Sequence, residues 1–415
     1  MQAIKSGRRM GASLTIIPQT VLFVLVSFFS LEAAAGEGGT VVPSRSKFAT
    51  FLAQLWPDAE AKGVTRSTFE QAFSGVVPDP KVIELIDKQP EYGLPAGKYI
   101  GSVASKARAD VGSAEASRQA ELLGRIETRF AVDRWTLLAV WGIESNYGAA
   151  ALRWDVVRSI ATLAAAGYRA PYFRNELLLA LQIIQAGGIQ RQNMKGSWAG
   201  AMGQPQFMPS AFLDYAVDLS GDDRRDIWNN VPDTLGSTAN FLQHMGWKRG
   251  LVWGYEVTVP GQFDYRQSRG TFAQWAGLGL KRADGGAMSG DGVAILFFPS
   301  GATGPAFLVT DNFLVLKRYN NSDLYALAVG QLANRIEGLG AFHAAWPADD
   351  VQLSRTQRIA LQHKLAELGY PVREFQGHID FDLRDAIRDM QAKLGMIPDG
   401  FPTLQFLEKL DVAVQ

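Results

Sequence analysis

Asp133-Arg-Trp-Thr-Leu-Leu-Ala-Val-Trp-Gly-Ile-Glu-Ser-Asn-Tyr-Gly148 is the stretch on which the reading of the chain turns. From Trp135 to Ile143 every residue but Thr136 and Gly142 is apolar. Asp133 is placed to cap a helix at its start, and Gly148 stands where a left-handed C-cap belongs. Glu144 falls three turns into that helix, at its buried end, and is the only carboxylate or cationic group between Trp141 and Gly148. A carboxylate in such surroundings loses solvation, which disfavours its charged form and suits it to give a proton near neutral pH. The plainer alternative is a glutamate at a helix end that points back to water.

The rest of the chain narrows the choice. Its 415 residues allow two or three domains, and 47% hydrophobic with 20% charged residues is an ordinary globular composition. Basic and acidic side chains balance at 41 each, so no basic field argues for nucleic acid. With no cysteine there is no disulfide, thiol nucleophile, thiolate-bound metal or lipidated thiol. The four histidines, His244, His343, His363 and His378, show no metal-ligand spacing and read as single surface residues.

The N-terminus reads as an export signal. Lys5, Arg8 and Arg9 precede the apolar run Val21–Phe29, and Ala33-Ala34-Ala35 offers a small-residue cleavage site. Residues 1–35 are thus a signal peptide and 36–45 a flexible leader, which points to the periplasm. The alternative is an uncleaved inner-membrane anchor, since Met10–Leu31 carries no charge.

Beyond the leader the pattern is helical. Phe48, Leu52 and Leu55 share a face, Thr65 caps a second helix, and Ala116–Thr128, Ser159–Ala166 and Asn175–Ala186 give further helices. At Leu251 the period changes: Trp253, Tyr255, Val257 and Val259 alternate with Gly254, Glu256 and Thr258, and Val293–Phe298 and Ala306–Val309 give more strands. Ser322 caps a helix that runs to about Glu337. The expectation is an α+β, predominantly helical body over 46–340 with a small inserted antiparallel sheet. Residues 341–350, with Pro347, form a linker. In 351–415, Leu361, Leu365 and Leu368, then Leu383, Ile387, Met390 and Leu394, then Leu404, Leu407 and Leu410 mark three helices around one core.

A second informative stretch is Gly196-Ser-Trp-Ala-Gly-Ala-Met-Gly-Gln-Pro-Gln-Phe-Met-Pro-Ser210. Its glycines and prolines suit neither helix nor strand but a shaped loop that a ligand can approach closely, or a purely structural one. Gln206 offers both donor and acceptor, which suits sugar hydroxyls and acetamido groups.

Glu-Ser-Asn-Tyr-Gly148, the Gly196–Ser210 segment and Asn312-Phe-Leu-Val-Leu-Lys-Arg-Tyr-Asn-Asn-Ser-Asp-Leu-Tyr325 occur in this order, and together they resemble the lytic murein transglycosylase B family over roughly residues 46–340. Separately, Leu361-Gln-His-Lys-Leu-Ala-Glu-Leu-Gly-Tyr370, Gln376-Gly-His-Ile379, Ala386-Ile-Arg-Asp-Met-Gln391 and Asp399-Gly400 resemble a peptidoglycan-binding domain.

The resemblance implies a lysozyme-like catalytic fold that cleaves the bond between N-acetylmuramic acid and N-acetylglucosamine and needs no cofactor. It implies that Glu144 acts as acid and then as base, giving 1,6-anhydro ends. It further implies that Ser197 and Gln206 line the sugar subsites, that Tyr319, Asn320 and Tyr325 flank Glu144, and that Tyr99 and Arg169 make outer contacts. Phe241 stands where a relative carries tyrosine. The implied partners are peptidoglycan glycan strands and other cell-wall enzymes, with the chain a monomer.

The residues themselves are compatible with one acid. Ordinary glycosidases need two carboxylates, about 5–5.5 Å apart if retaining and about 6.5–9.5 Å if inverting. Asp155, the next acid, is eleven residues on, about 16 Å along a continued helix at ~1.5 Å per residue. A distant acid brought near by folding leaves a hydrolytic muramidase open, and a non-catalytic wall-binding protein is the other alternative. Asp218-Leu-Ser-Gly-Asp-Asp-Arg-Arg-Asp226 resembles the start of a calcium loop, with Asp218, Ser220 and Asp222 at ligand positions. Asp223 replaces the expected glycine, Asn229 replaces the closing glutamate, and Asp233 stands near as a late ligand. The alternative is an Asp-rich turn with solvated charges.

Overall fold

A computed structural model describes residues 40–86, 94–348 and 350–412; the expected signal peptide and residues 36–39 of the leader lie outside the described residues. Among those described, no helix is long and apolar enough to cross a membrane. The architecture is predominantly helical with small antiparallel sheets.

Helices α1 (Arg45–Ala61), α2 (Arg66–Phe73) and α3 (Pro80–Glu84) begin at Ser44, Thr65 and Asp79, whose side chains accept backbone N–H groups. The central body follows with α4 (Ala96–Val103), α5 (Lys106–Arg118), α6 (Ala120–Phe130), α7 (Arg134–Ser145), α8 (Val156–Ala165) and α9 (Ala170–Gln185). The helix expected over Ala116–Thr128 is two, broken at Gln119. The break lets α6 turn Leu123, Ile126 and Phe130 inward while α5 buries Ala109 and Gly112. A two-stranded sheet, β1 (Trp154–Asp155) with β2 (Lys195–Gly196), leads into α10 (Pro209–Tyr215) and α11 (Val231–His244).

The second sheet has the order β4-β6-β7-β3-β5, antiparallel throughout, from β3 (Gly254–Thr258), β4 (Arg269–Thr271), β5 (Lys281–Arg282), β6 (Val293–Phe297) and β7 (Ala306–Val309), with α12 (Phe272–Gly277) between β4 and β5. Both faces of its centre are covered. Ile295, Phe297, Phe307 and Val309 join the main core, while Ala294, Leu296, Ala306 and Leu308 face a satellite core around Phe272 and Trp275. That is why β6 and β7 read as continuous apolar runs. Glu256 of β3 is buried, and its carboxylate accepts the N–H groups of His343 and Ala344.

Two more helices, α13 (Asp311–Tyr319) and α14 (Asp323–Glu337), close the helical body, α14 capped by Ser322 as expected. The C-terminal unit holds α15 (Arg355–Glu367), α16 (Phe381–Lys393) and α17 (Leu404–Lys409) around Leu361, Leu365, Ile387, Phe406 and Leu407. Leu368 lies just past the end of α15 and is exposed, so it is not part of that stripe. The unit does not hang on a loose linker. Its Phe381 belongs to the main core, edge-on to Phe297 at 5.4 Å, and Asp350 is buried. His378 is half-buried rather than on the surface; burial, with Arg358, Lys317 and Arg355 nearby and against Glu374, pushes its pKa down to about 4.

Candidate active site

The central helix α7 buries every residue from Thr136 to Ser145, Glu144 included at 3% exposure. Asp133 caps its start as expected. The C-cap, however, is Asn146 rather than Gly148, and Asn146, Tyr147 and Gly148 all take left-handed φ, at 51°, 58° and 79°. Asparagine tolerates this conformation better than most residues. The turn folds the Tyr147 ring back over Gly142, where an added Cβ would lie 2.5 Å from the ring. The Tyr147 hydroxyl then donates to the Arg108 carbonyl at 2.9 Å. Glu144 is thereby fixed two residues before a locked chain reversal.

Tyr325, in the first turns of α14, donates its hydroxyl to Glu144 Oε1 at 2.5 Å. Its ring lies parallel to that of Tyr319 at 6.4 Å, and the Tyr319 hydroxyl donates to the Pro205 carbonyl at 2.6 Å. Burial first, and then the nearby Glu144 charge, pushes both phenols well above their ordinary pKa. Both therefore keep their protons, and Tyr325 is a donor to Glu144. Phe241 and Phe207 pack on Tyr319 at 4.9 and 6.1 Å and complete the aromatic wall.

The Gly196–Ser210 loop carries the Pro205 anchor. It was expected to offer polar side chains at its surface, yet every residue from Gly196 to Pro209 is buried. Its backbone pairs with itself, Gly196 with Met202 and Met202 with Phe207, and a Cβ on Gly196 would lie 1.8 Å from the Ala201 oxygen. Ser197 Oγ accepts Ala201 N–H at 3.0 Å, and Gln206, at a left-handed φ of 55°, donates through Nε2 to the Gly203 carbonyl at 2.7 Å. These two side chains shape the loop from within. Gln204, which sequence reading passed over, ties it to the acid's helix: its Oε1 accepts Trp141 Nε1–H and its Nε2 donates to Trp228 O, both at 2.8 Å. Only Trp141, three residues before Glu144, hinted at that link.

Asn320 is buried at the end of α13, between the two tyrosines in sequence. Tyr99 is buried on α4 and interacts electrostatically with Tyr325. Arg169 begins α9 at a left-handed φ of 42° and stacks 4.6 Å from the Tyr172 ring. The structure thus joins Glu144, Tyr325 and Tyr319, while Tyr99 and Arg169 sit on other elements, α4 and the start of α9. A cleft of about 340 Å³, lined by Asp133, Trp135, Trp253 and Tyr255 among others, opens at the other end of α7 and does not include Glu144.

Among the described residues, several other buried or half-buried acids are engaged by partners of their own. Asp155 caps α8 and pairs with Arg191. Glu176 accepts Ser210 N–H and Oγ–H, Glu115 pairs with Arg118, and Asp233 accepts the N–H groups of Leu219, Ser220 and Asp226.

In the Asp-rich loop, carboxylate oxygens of Asp218, Asp222 and Asp233 converge within 4.8 Å of one another. Asp223 takes a φ of 63°, the left-handed turn normally given to glycine there, and its N–H donates to Asp218 Oδ2 at 2.8 Å. Ser220 Oγ lies 3.1 Å from Asp218 Oδ1 and Asn229 donates to Asp226, so Asp233 rather than Asn229 closes the ring. Three convergent carboxylates fit a hard cation such as calcium. Its effect there would be structural, on the approach to α11.

Similarity to known proteins follows the same division. Residues 47–334 match the transglycosylase SLT domain family, and residues 354–410 match a peptidoglycan binding domain family. Membrane-bound lytic murein transglycosylase B of Escherichia coli is 32% identical over 223 residues, 52% of this chain, which spans 60% of that relative's length. SltB3 of Pseudomonas aeruginosa, solved with NAG-anhNAM-pentapeptide, is 42% identical and aligns over 88% of this chain and 99% of that one with a TM-score of 0.79. Slt35 of Escherichia coli, solved with calcium, is 25% identical over 70% of this chain and 92% of that one, with a TM-score of 0.59. A buried glutamate held by a tyrosine in a lysozyme-like helical body, with these likenesses along both parts of the chain, makes the protein a member of the transglycosylase SLT family that carries a C-terminal peptidoglycan-binding domain.

Proposed function

We propose that the protein is a peptidoglycan lytic transglycosylase that cuts the β-1,4 bond between N-acetylmuramic acid and N-acetylglucosamine and leaves 1,6-anhydromuramic acid ends. The observation that carries this reading is the buried Glu144 carboxylate, which accepts the Tyr325 hydroxyl. Glu144 gives its proton to the glycosidic oxygen as that oxygen leaves C1 of the muramic residue with the bonding electrons. The carboxylate then takes the proton of the C6 hydroxyl as the C6 oxygen bonds to C1. The proton count closes on Glu144 and no water is consumed. Burial favours the protonated acid that starts the cycle, and the Tyr325 donor favours the carboxylate formed midway. The solved complex of SltB3 with an anhydro-muramyl ligand supports the same product class.

Tyr319, Asn320, Tyr99 and the Gly196–Ser210 loop would shape the sugar subsites, with Arg169 farther out. The body over 46–340 would act on strands that residues 351–415 help hold. Residues 1–35 would direct export to the periplasm, and Asp218, Asp222 and Asp233 would hold a structural calcium.

Digestion of purified murein followed by mass spectrometry tests the chemistry. Anhydro-muropeptides are expected; products one water heavier would replace this reading with hydrolysis. Glu144→Gln should slow release by about 10²–10⁴-fold, the usual worth of a general acid.

A further inference from the structure

The segment after residue 340 reaches back to α14, whose Tyr325 bonds Glu144, and to α4, which carries Tyr99. Helix α4 has no side-chain cap of its own, because Pro95 precedes it. Asp350 supplies one: its Oδ2 accepts Ala96 N–H at 3.1 Å and also bonds Ser300 Oγ–H. Next to it Trp346 packs where a Cβ on Gly97 would lie 2.5 Å away, so α4 is seated on this connection. On the other helix, Asp323 is the first residue of α14, two before Tyr325. Its carboxylate lies between Lys317 Nζ of α13 at 2.6 Å and Arg384 Nη2 of the C-terminal unit at 2.8 Å, all three side chains largely buried.

Arg384 is itself held on three sides. It stacks 4.8 Å over Phe297, and its Nη1 donates to the Gly400 carbonyl at 3.1 Å. Arg388 Nη2 donates to the Leu296 carbonyl at 2.8 Å, and Ala302 N–H donates to Asp399 Oδ2 at 2.8 Å, so the unit grips the sheet as well. A planar guanidinium fixed this way sets direction as well as charge. A buried aspartate at a helix start ties the helix axis to whatever holds it.

We propose that Arg384, through Asp323, and Asp350, through Ala96, are positioning residues for the catalytic centre, so that the C-terminal unit braces α14 and the segment leading to it braces α4, beyond any wall-binding surface the unit offers. This rests on the reading of Glu144 and Tyr325 as the proton-transfer pair. A displacement near 1 Å at a reacting group can cost about a hundredfold in rate. The brace therefore acts on turnover, whereas a tether would act only on capture of long strands.

The test uses the full chain and a purified peptidoglycan tetrasaccharide. Arg384→Ala and Asp350→Asn should each lower kcat about tenfold or more on this probe with KM little changed, and Arg384→Lys should restore part of the loss. Arg269→Ala, which removes only exposed pairs with Asp382 and Asp385, serves as the interface control and should keep wild-type kcat. Circular dichroism establishes that each variant is folded, and Asp323→Asn approaches the same contact from the other side should Arg384→Ala fail to fold. If Arg384→Ala or Asp323→Asn keeps kcat on the tetrasaccharide and loses only murein binding, or if Arg269→Ala loses as much kcat, the brace is refuted. Glu144→Gln in the same assay separates the two ideas: full activity there refutes the proton-transfer reading instead.

Discussion

The chemistry proposed for Glu144 rests on what surrounds it. Apolar helix residues remove water, and one phenol supplies a hydrogen bond from a group that burial keeps protonated. Tyr325→Phe removes that donor and nothing else in the wall. We expect kcat on a soluble murein fragment to fall roughly 10- to 100-fold, since a hydrogen bond to a charged group is worth about 1.5–3 kcal/mol. The melting temperature should change little, because the ring packing against Tyr319 survives. An unchanged kcat would remove Tyr325 from the mechanism. The acid, both tyrosines and the loop were legible at this scale because local motif and composition mark them. Gln204 was not, because its partners Trp141 and Trp228 lie 63 and 24 residues away along the chain.

At the scale of elements, caps were the most readable signals. Thr65, Asp133 and Ser322 start helices where their residue types promise, because a cap is satisfied by atoms two or three residues on. Helix ends and strand faces were less so. The end of α7 depends on Tyr147 folding over Gly142, a contact that the hydrophobic pattern does not contain. Gly142→Ala should therefore move Tyr147 or bend α7, costing about 1–3 kcal/mol of stability by overpacking and lowering activity with it. Denaturant unfolding and a murein assay on the same sample check both. The Asp218–Asp233 loop gives a second expectation: millimolar calcium should raise the melting temperature over that in chelator, and Asp233→Asn should abolish the increment. No shift with calcium would leave the loop as a turn held by its own N–H groups.

Over the whole molecule, the sheet and the C-terminal unit share one apolar interface. Phe297 and Phe313 of the body close on Phe381, and the charged pair Asp323–Arg384 sits beside them. Burial opposes the Asp323 charge, but Lys317 and Arg384 hold its pKa down at about 2. An unfolded aspartate titrates near ~3.9, so the stabilisation is fully present above that value and is lost as pH falls toward about 2. The contribution is on the order of 2 kcal/mol. Stability measured against pH should thus fall between pH ~4 and ~2, and Asp323→Asn should flatten that limb; an unaltered limb would place the acid sensitivity elsewhere.

By itself the sequence determined the helical class, the late sheet and the presence of a second unit, and it singled out Glu144 and its tyrosines as candidates. These are properties of residue type and short spacing, which act through nearest neighbours along a helix or strand. Only the tertiary structure decided that the long glycine-rich loop is a buried scaffold and that the presumed linker caps α4. It alone placed Arg384, sixty-one residues beyond Asp323, at the foot of the Tyr325 helix. Such contacts depend on how whole elements stack, and no local pattern records where a buried charge finds its partner.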